Sequence, residues 1–138
     1  MEDNLIKITP DKEKAKSILK MVDTTLDMIK NIDISKFSSN VTKEYYDVIR
    51  ELLSVILLFD GYKTYGENAH KKLIEYIQEN YKELTEYEIS LLNDLRIKRN
   101  KIAYDGFFIN KDYIERKIPD IQSIIQKLKD IIKKKSLD

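Results

Sequence analysis

The chain has 138 residues, 42% hydrophobic and 36% charged, enough apolar material for one domain with its own core and no need of metal or disulfide. Its 25 Lys and Arg against 24 Asp and Glu leave a net charge of +1, which excludes the broad positive field of a strong non-specific nucleic-acid binder. The lack of cysteine excludes disulfides, thiolate catalysis and cysteine zinc sites, and a single histidine, His70, speaks against a zinc site of His and carboxylates; no metal or cofactor is expected.

The N-terminal stretch MEDNLIKITPDKEKAK runs acidic then basic without a sustained apolar core, so it does not read as a signal peptide. The longest apolar run, Leu52 to Phe59, is interrupted by Ser54 and is too short to span a bilayer. A cytoplasmic protein without membrane contact is the expectation. With 3 glycines, 2 prolines and no alternating strand pattern, the chain predicts an all-α fold, an antiparallel bundle of about five helices in a single domain over 1–138.

Thr9-Pro10 predicts the first helix start, with Ala15, Ile18, Leu19, Val22, Leu26 and Ile29 recurring at three and four as far as about Ile32. Asp33 to Asn40, with Ser35, Ser38 and Ser39, predicts a turn and caps. The second helix runs from about Val41 to Phe59, apolar on nearly every side after Glu51, as befits a helix surrounded by protein and closed by Gly61 or Gly66. A third is predicted over Glu67 to Glu79 with Ala69, Leu73, Tyr76 and Ile77 inward. His70 aligns with Leu73, Ile74 and Ile77, which suits a core histidine with one hydrogen bond. Its ordinary pKa of about 6.5 also makes it the one side chain suited to proton transfer near neutrality.

Thr85 and Glu88 have capping-box spacing and open the fourth helix, which ends near Tyr104 to Gly106. Asn110 caps a short helix carrying Tyr113 and Ile114, and Pro119 marks a boundary or kink. The last helix, Pro119 to about Lys135, repeats Ile121, Ile124, Ile125, Leu128, Ile131 and Ile132 on one stripe. Its lysine-rich end suits the negative pole of the helix dipole and reads as solvated.

The fourth helix carries the candidate site. At about 100° per residue, Leu91, Leu92, Leu95, Ile102 and Ala103 share one side of Leu91 to Gly106, and Arg99 falls near the middle of that side. Arg96, Arg99, Asn100 and Tyr104 then line a polar notch beside an apolar seam. A cation there is costly unless it is paired or stays wet. Three readings stand: Arg99 snorkels from the last turns, it pairs with an acid on a neighbouring helix or subunit, or it binds an anion, with phosphate the best match to its donors.

Arg99-Asn100 followed by apolar residues and a ring side chain, late in a long penultimate helix, resembles the HEPN family, and LLFDGYKTYGENAHKKLIEYI is similar to that family's glycine-interrupted junction between central helices. The likeness covers a core of about 10–132. It implies a homodimeric helical bundle in which an Arg and a His from both chains face one cleft. Many members resemble metal-independent ribonucleases, often toxins partnered by a small nucleotidyltransferase. The family motif places His four to six residues after the Arg. Here Tyr104 stands in its place and no His lies between 101 and 106. Tyrosine, with a pKa of about 10, is a poor base at neutral pH, though it donates a hydrogen bond or stacks on a nucleobase. The slot of the tyrosine that a nucleotidyltransferase partner modifies holds Gly106.

The leading expectation is therefore binding of RNA or a nucleotide phosphate through Arg96, Arg99, Asn100 and Tyr104 at a dimer cleft, with weak or no nuclease activity. The alternatives are an interaction module that partners a nucleotidyltransferase, and a metal-independent ribonuclease with Arg99 and Tyr104 as a degenerate catalytic pair.

Overall fold

The computed structural model describes residues 4–136, so the outermost ends of the expected 1–138 domain lie outside the described residues. The class is all-α, with five helices around one core and a small two-stranded sheet. In chain order these are β1 (Leu5–Lys7), α1 (Lys12–Lys30), α2 (Ile34–Asp60), β2 (Tyr62–Thr64), α3 (Ala69–Asn80), α4 (Glu86–Asp105) and α5 (Lys111–Ser136).

The central helix is α2. It packs against the other four helices and β2, and Leu52, Leu53, Val55, Ile56 and Leu57 are fully buried, which is why apolar residues occupy nearly every side of it. Short connections turn α1 back along α2 and α3 back along α4. The buried stripe of α5, Ile114 with Ile121, Ile124, Ile125, Leu128, Ile131 and Ile132, closes the core.

Local chemistry sets the ends. Thr85 Oγ1 accepts from the Glu88 N–H at 3.1 Å while the Glu88 carboxylate accepts from the Thr85 N–H at 2.9 Å, completing the predicted capping box. Gly61 ends α2 with φ +85°, a left-handed conformation that a side chain resists, and the chain turns there into β2. Asn110 caps α5 through its side chain, accepting from the Asp112 N–H at 2.7 Å.

Several boundaries differ from the sequence reading. The first helix starts after Asp11, whose carboxylate accepts from the Lys14 N–H, so the cap falls two residues beyond Thr9. Of the stretch predicted as a turn, Ile34 to Asn40 is helical apart from Phe37 (φ −121°, ψ 35°), with Asp33 as the cap. Its serines reach across the fold: Ser38 Oγ donates to the Ile109 carbonyl at 2.6 Å, and Ser39 Oγ accepts from the Ile109 N–H at 2.7 Å, pinning the α4–α5 loop onto α2. The third helix starts at Ala69, after a turn with Gly66 at φ +83°.

Pro119 is not a boundary. It sits inside α5, and the two predicted segments form one helix, because the buried stripe continues from Ile114 to Ile121 on the same face. The ribbon β1–β2 also departs from the expectation of no strands. Leu5, Ile6 and Lys7 pair antiparallel with Thr64, Lys63 and Tyr62, extended by the Ile8 N–H donating to the Gly61 carbonyl at 2.9 Å. Strands of three residues are too short to display a period. No helix among the described residues is long and apolar enough to cross a membrane.

The lysine-rich end of α5 is tied down in part. Lys129 pairs with Asp23 of α1 at 2.8 Å, and Lys135 pairs with Asp60, which also accepts from the hydroxyls of Tyr76 and Tyr81. This knot joins the ends of α2, α3 and α5.

Candidate functional site

Three helices meet where α4 leaves the core. Leu91, Leu92 and Leu95 are buried against α2, but the apolar seam stops there: Ile102 is half-buried and Ala103 exposed, contrary to the pattern expected on that side. The last two turns of α4 therefore stand at the edge of the fold, and their polar residues face the middle of α2 and the start of α3.

Arg99 is 16% exposed, and its Nε donates to Oδ1 of Asp47 on α2 at 3.2 Å. Of the three readings, this is the pairing with an acid on a neighbouring helix. The same oxygen lies 3.8 Å from Nε of Arg50, one turn further along α2, too far for a hydrogen bond. Arg96, one turn before Arg99, has a buried Nε with no hydrogen-bond partner among the described residues, and so has Arg50. The hydroxyl of Tyr46, a fully buried ring beside Asp47, also lacks a partner there. Three guanidinium groups thus share one neighbourhood with the carboxylate of Asp47, and three buried polar atoms make no hydrogen bond with the described residues.

His70 closes the group from the first turn of α3, its ring centroid 6.2 Å from that of Tyr46. Burial, and then the positive charge of Arg50 and Arg99, hold its pKa below the ordinary 6.5, outweighing the pull of Asp47. At neutral pH it is an uncharged ring. Burial also pushes the Tyr46 hydroxyl up to about 12, against the arginines, so it remains a neutral donor.

A cleft of about 480 Å³ opens beside these groups, lined by Gly66, Asn68, His70, Arg96, Asn100 and Tyr104 among others. Arg96, Asn100 and Tyr104 thus face one cavity, as the notch on α4 predicted. Arg99 stands behind them on Asp47 and is not part of the lining. Tyr104 is 76% exposed at the rim, and Phe107 and Phe108 follow it in the loop, Phe108 being 85% exposed. Lys101 lies over the Phe107 ring at 5.6 Å.

The helical pattern of α4 did not reach Tyr46, Asp47, Arg50 or His70, because they come from other elements. One signal for two of them was present. Asp47 and Arg50 stand at i and i+3 on α2, a spacing that puts an acid and a base on one face just before its all-round apolar stretch.

The arrangement can hold an oxyanion. Guanidinium groups are charged at any physiological pH and present donors in a fork that matches two oxygens of a phosphate or carboxylate. Asn100 adds a neutral donor on the cleft. Comparison with protein-family models, curated proteins and solved structures finds no match in any of the three.

Proposed function

We propose that this protein binds RNA or a nucleotide phosphate in the cleft between α3 and α4, with weak or no nuclease activity. The observation that carries the reading is the imbalance of the cluster: Arg50, Arg96 and Arg99 gather near the carboxylate of Asp47, and Nε of Arg50, Nε of Arg96 and the Tyr46 hydroxyl have no hydrogen-bond partner among the described residues. A buried donor left unpaired destabilises a fold by about 1–3 kcal/mol, and of these three side chains Arg96 lines the cleft, where an anion with several acceptor oxygens relieves its share of that cost. The cleft volume of about 480 Å³ lies in the range of small-molecule sites. Exposed Tyr104, Phe107 and Phe108 beside it supply rings on which bases stack, which favours a nucleic-acid ligand over inorganic phosphate.

Weak or absent cleavage follows from the proton chemistry. Cleaving RNA through its 2′-OH needs a base near neutrality, an acid for the leaving oxygen and fixed positive charge on the phosphate. The arginines supply the charge. Where the HEPN motif has histidine this chain has Tyr104, exposed at the rim and without an imidazole. His70 is a neutral imidazole in the same cleft and is the only imidazole in the chain, so one group would have to serve both proton steps.

The test is fluorescence-anisotropy binding of a short single-stranded RNA to the wild type, Arg96→Ala and Arg99→Ala. The Nε of Arg96 has no described partner to lose, so removal of the side chain is expected to weaken binding about tenfold and to lower the salt dependence by about one counterion. Equal affinity in all three proteins would overturn the reading.

A second reading rests on the exposed apolar face of Ile97, Tyr104, Phe107 and Phe108. It is the surface on which a second copy of the chain docks to form a homodimer, or in the interaction-module alternative a nucleotidyltransferase partner. Light scattering on Phe108→Asp against wild type distinguishes a dimer from a monomer. The ribonuclease alternative, with Arg99 and Tyr104 as catalytic residues, predicts RNA cleavage that Tyr104→Phe abolishes.

A further inference from the structure

A second cleft, of about 290 Å³, lies on the other side of Arg50, between α1, α2, the β1–β2 ribbon and Leu73 of α3. Its floor is apolar, formed by Ile18, Leu57, Leu58 and Leu73. Arg50 and Ser54, one turn apart on α2, line the same cleft, as do the exposed Lys14 and Lys63. Arg50 is 29% exposed, and its approach to Asp47 at 3.8 Å is no hydrogen bond.

We propose that this cleft binds a small organic monocarboxylate with a slender apolar body, the carboxylate on Arg50 and Ser54 and the body along Ile18, Leu57, Leu58 and Leu73. The charge balance of the lining selects an anion, because Arg50, Lys14 and Lys63 face one acid, Glu51. A carboxylate matches the two donors available to it, the Arg50 guanidinium and the Ser54 hydroxyl, beside an apolar surface. The apolar floor disfavours an anion without an apolar body, such as formate, which would leave that surface wet. At the ~30 Å³ that a water molecule takes up in the liquid, the cleft has space for about ten non-hydrogen atoms.

Octanoate has that size and is the probe. Titration into the isotope-labelled protein, followed by amide NMR, is expected to give saturating shifts at Ile18, Ser54, Leu58 and Thr64. Octanamide, isosteric but uncharged, is expected to bind at least about tenfold more weakly, since a charge-assisted hydrogen bond is lost. Ser54→Leu, which fills the cleft above the floor, is expected to weaken octanoate by a similar factor, and a spectrum otherwise like wild type shows that it folds. Lys63→Gln, an exposed substitution outside the arginine cluster, is expected to weaken it by about twofold to fivefold. Equal binding of acid and amide, shifts indifferent to Ser54→Leu, or shifts centred on Arg96 and Asn100 would each overturn the proposal.

Discussion

Replacing Asp47 by asparagine separates an anion site from a structural ion pair. The carboxylate sits 3.2 Å from Nε of Arg99 and 3.8 Å from Nε of Arg50, with Asp47 19% and Arg99 16% exposed. At an effective dielectric constant of about 20, the attraction at 3.2 Å is about 5 kcal/mol, most of it offset by removing both charges from water. Asparagine keeps the shape and an acceptor oxygen, so the net loss is about 2 kcal/mol, which for a chain of this size lowers Tm by about 6–8 °C. If the cluster is only a scaffold, the loss ends there. If it is an anion site, the carboxylate occupies part of the ligand's place and repels it, and the neutral amide of the variant removes that repulsion. Phosphate should then bind the variant about tenfold more tightly, a gain of about 1.4 kcal/mol. The assay is thermal unfolding of both proteins in tens of millimolar phosphate against chloride of equal ionic strength, which removes general screening. An unchanged Tm in Asp47→Asn would rule out the ion pair as a stabilising contact, and phosphate stabilising the variant no more than the wild type would rule out an anion site beside Asp47.

Gly61→Ala is expected to destabilise the fold by about 1–2 kcal/mol in urea titration, because φ is +85° and the new Cβ meets the Ile8 carbonyl oxygen at 3.3 Å, straining both the α2 cap and the ribbon. Pro119→Ala is expected to stabilise by about 1–2 kcal/mol in the same assay, since alanine restores a donor inside α5 and relieves the ring's clash with the preceding turn. Acid is expected to unfold the protein through Asp60 and Glu88. Burial alone would raise both, but hydrogen bonds from Lys135, Tyr81 and Tyr76 to Asp60, and from Lys127 and the Thr85 N–H to Glu88, leave each below its ordinary value. Their contribution is present above the unfolded-state values of about 4 and is lost as pH falls through the folded-state values, which urea titrations between pH 7 and 3 measure. His70 is expected to titrate below 6.5 in the free protein and to rise when phosphate fills the cleft, because the anion offsets Arg50 and Arg99; an NMR titration in which phosphate leaves its pKa unmoved would place the anion elsewhere.

Much of the fold is legible in the sequence because burial and period coincide. Ala15, Val22 and Ile29 on α1, the all-round apolarity of α2 and the isoleucine stripe of α5 each name the face that ends up in the core. The misreadings fall where a local signal competes with packing. Pro119 is a strong breaker, yet the stripe from Ile114 to Ile121 holds the helix through it. Ser38 and Ser39 are turn formers by propensity, yet their hydroxyls bond Ile109, 71 and 70 residues away, a partner no local window contains.

The site divides along the same line. Arg96, Asn100 and Tyr104 face one cleft because a single helix spaces them, and spacing within a helix is what a sequence displays. Whether Arg99 is free or paired depends on Asp47, 52 residues earlier on another helix, and only packing decides it. That pairing moves the emphasis within the notch. Arg99 is already engaged, so the cation with unspent hydrogen-bonding capacity on the cleft is Arg96, and the charge that keeps Arg99 from a ligand is the carboxylate of Asp47. An anion entering the cleft therefore meets Arg96 and Asn100 first and reaches Arg99 only by displacing Asp47. For that reason Arg96→Ala should weaken RNA binding more than Arg99→Ala does, although Arg99 is the residue on which the sequence motif centres.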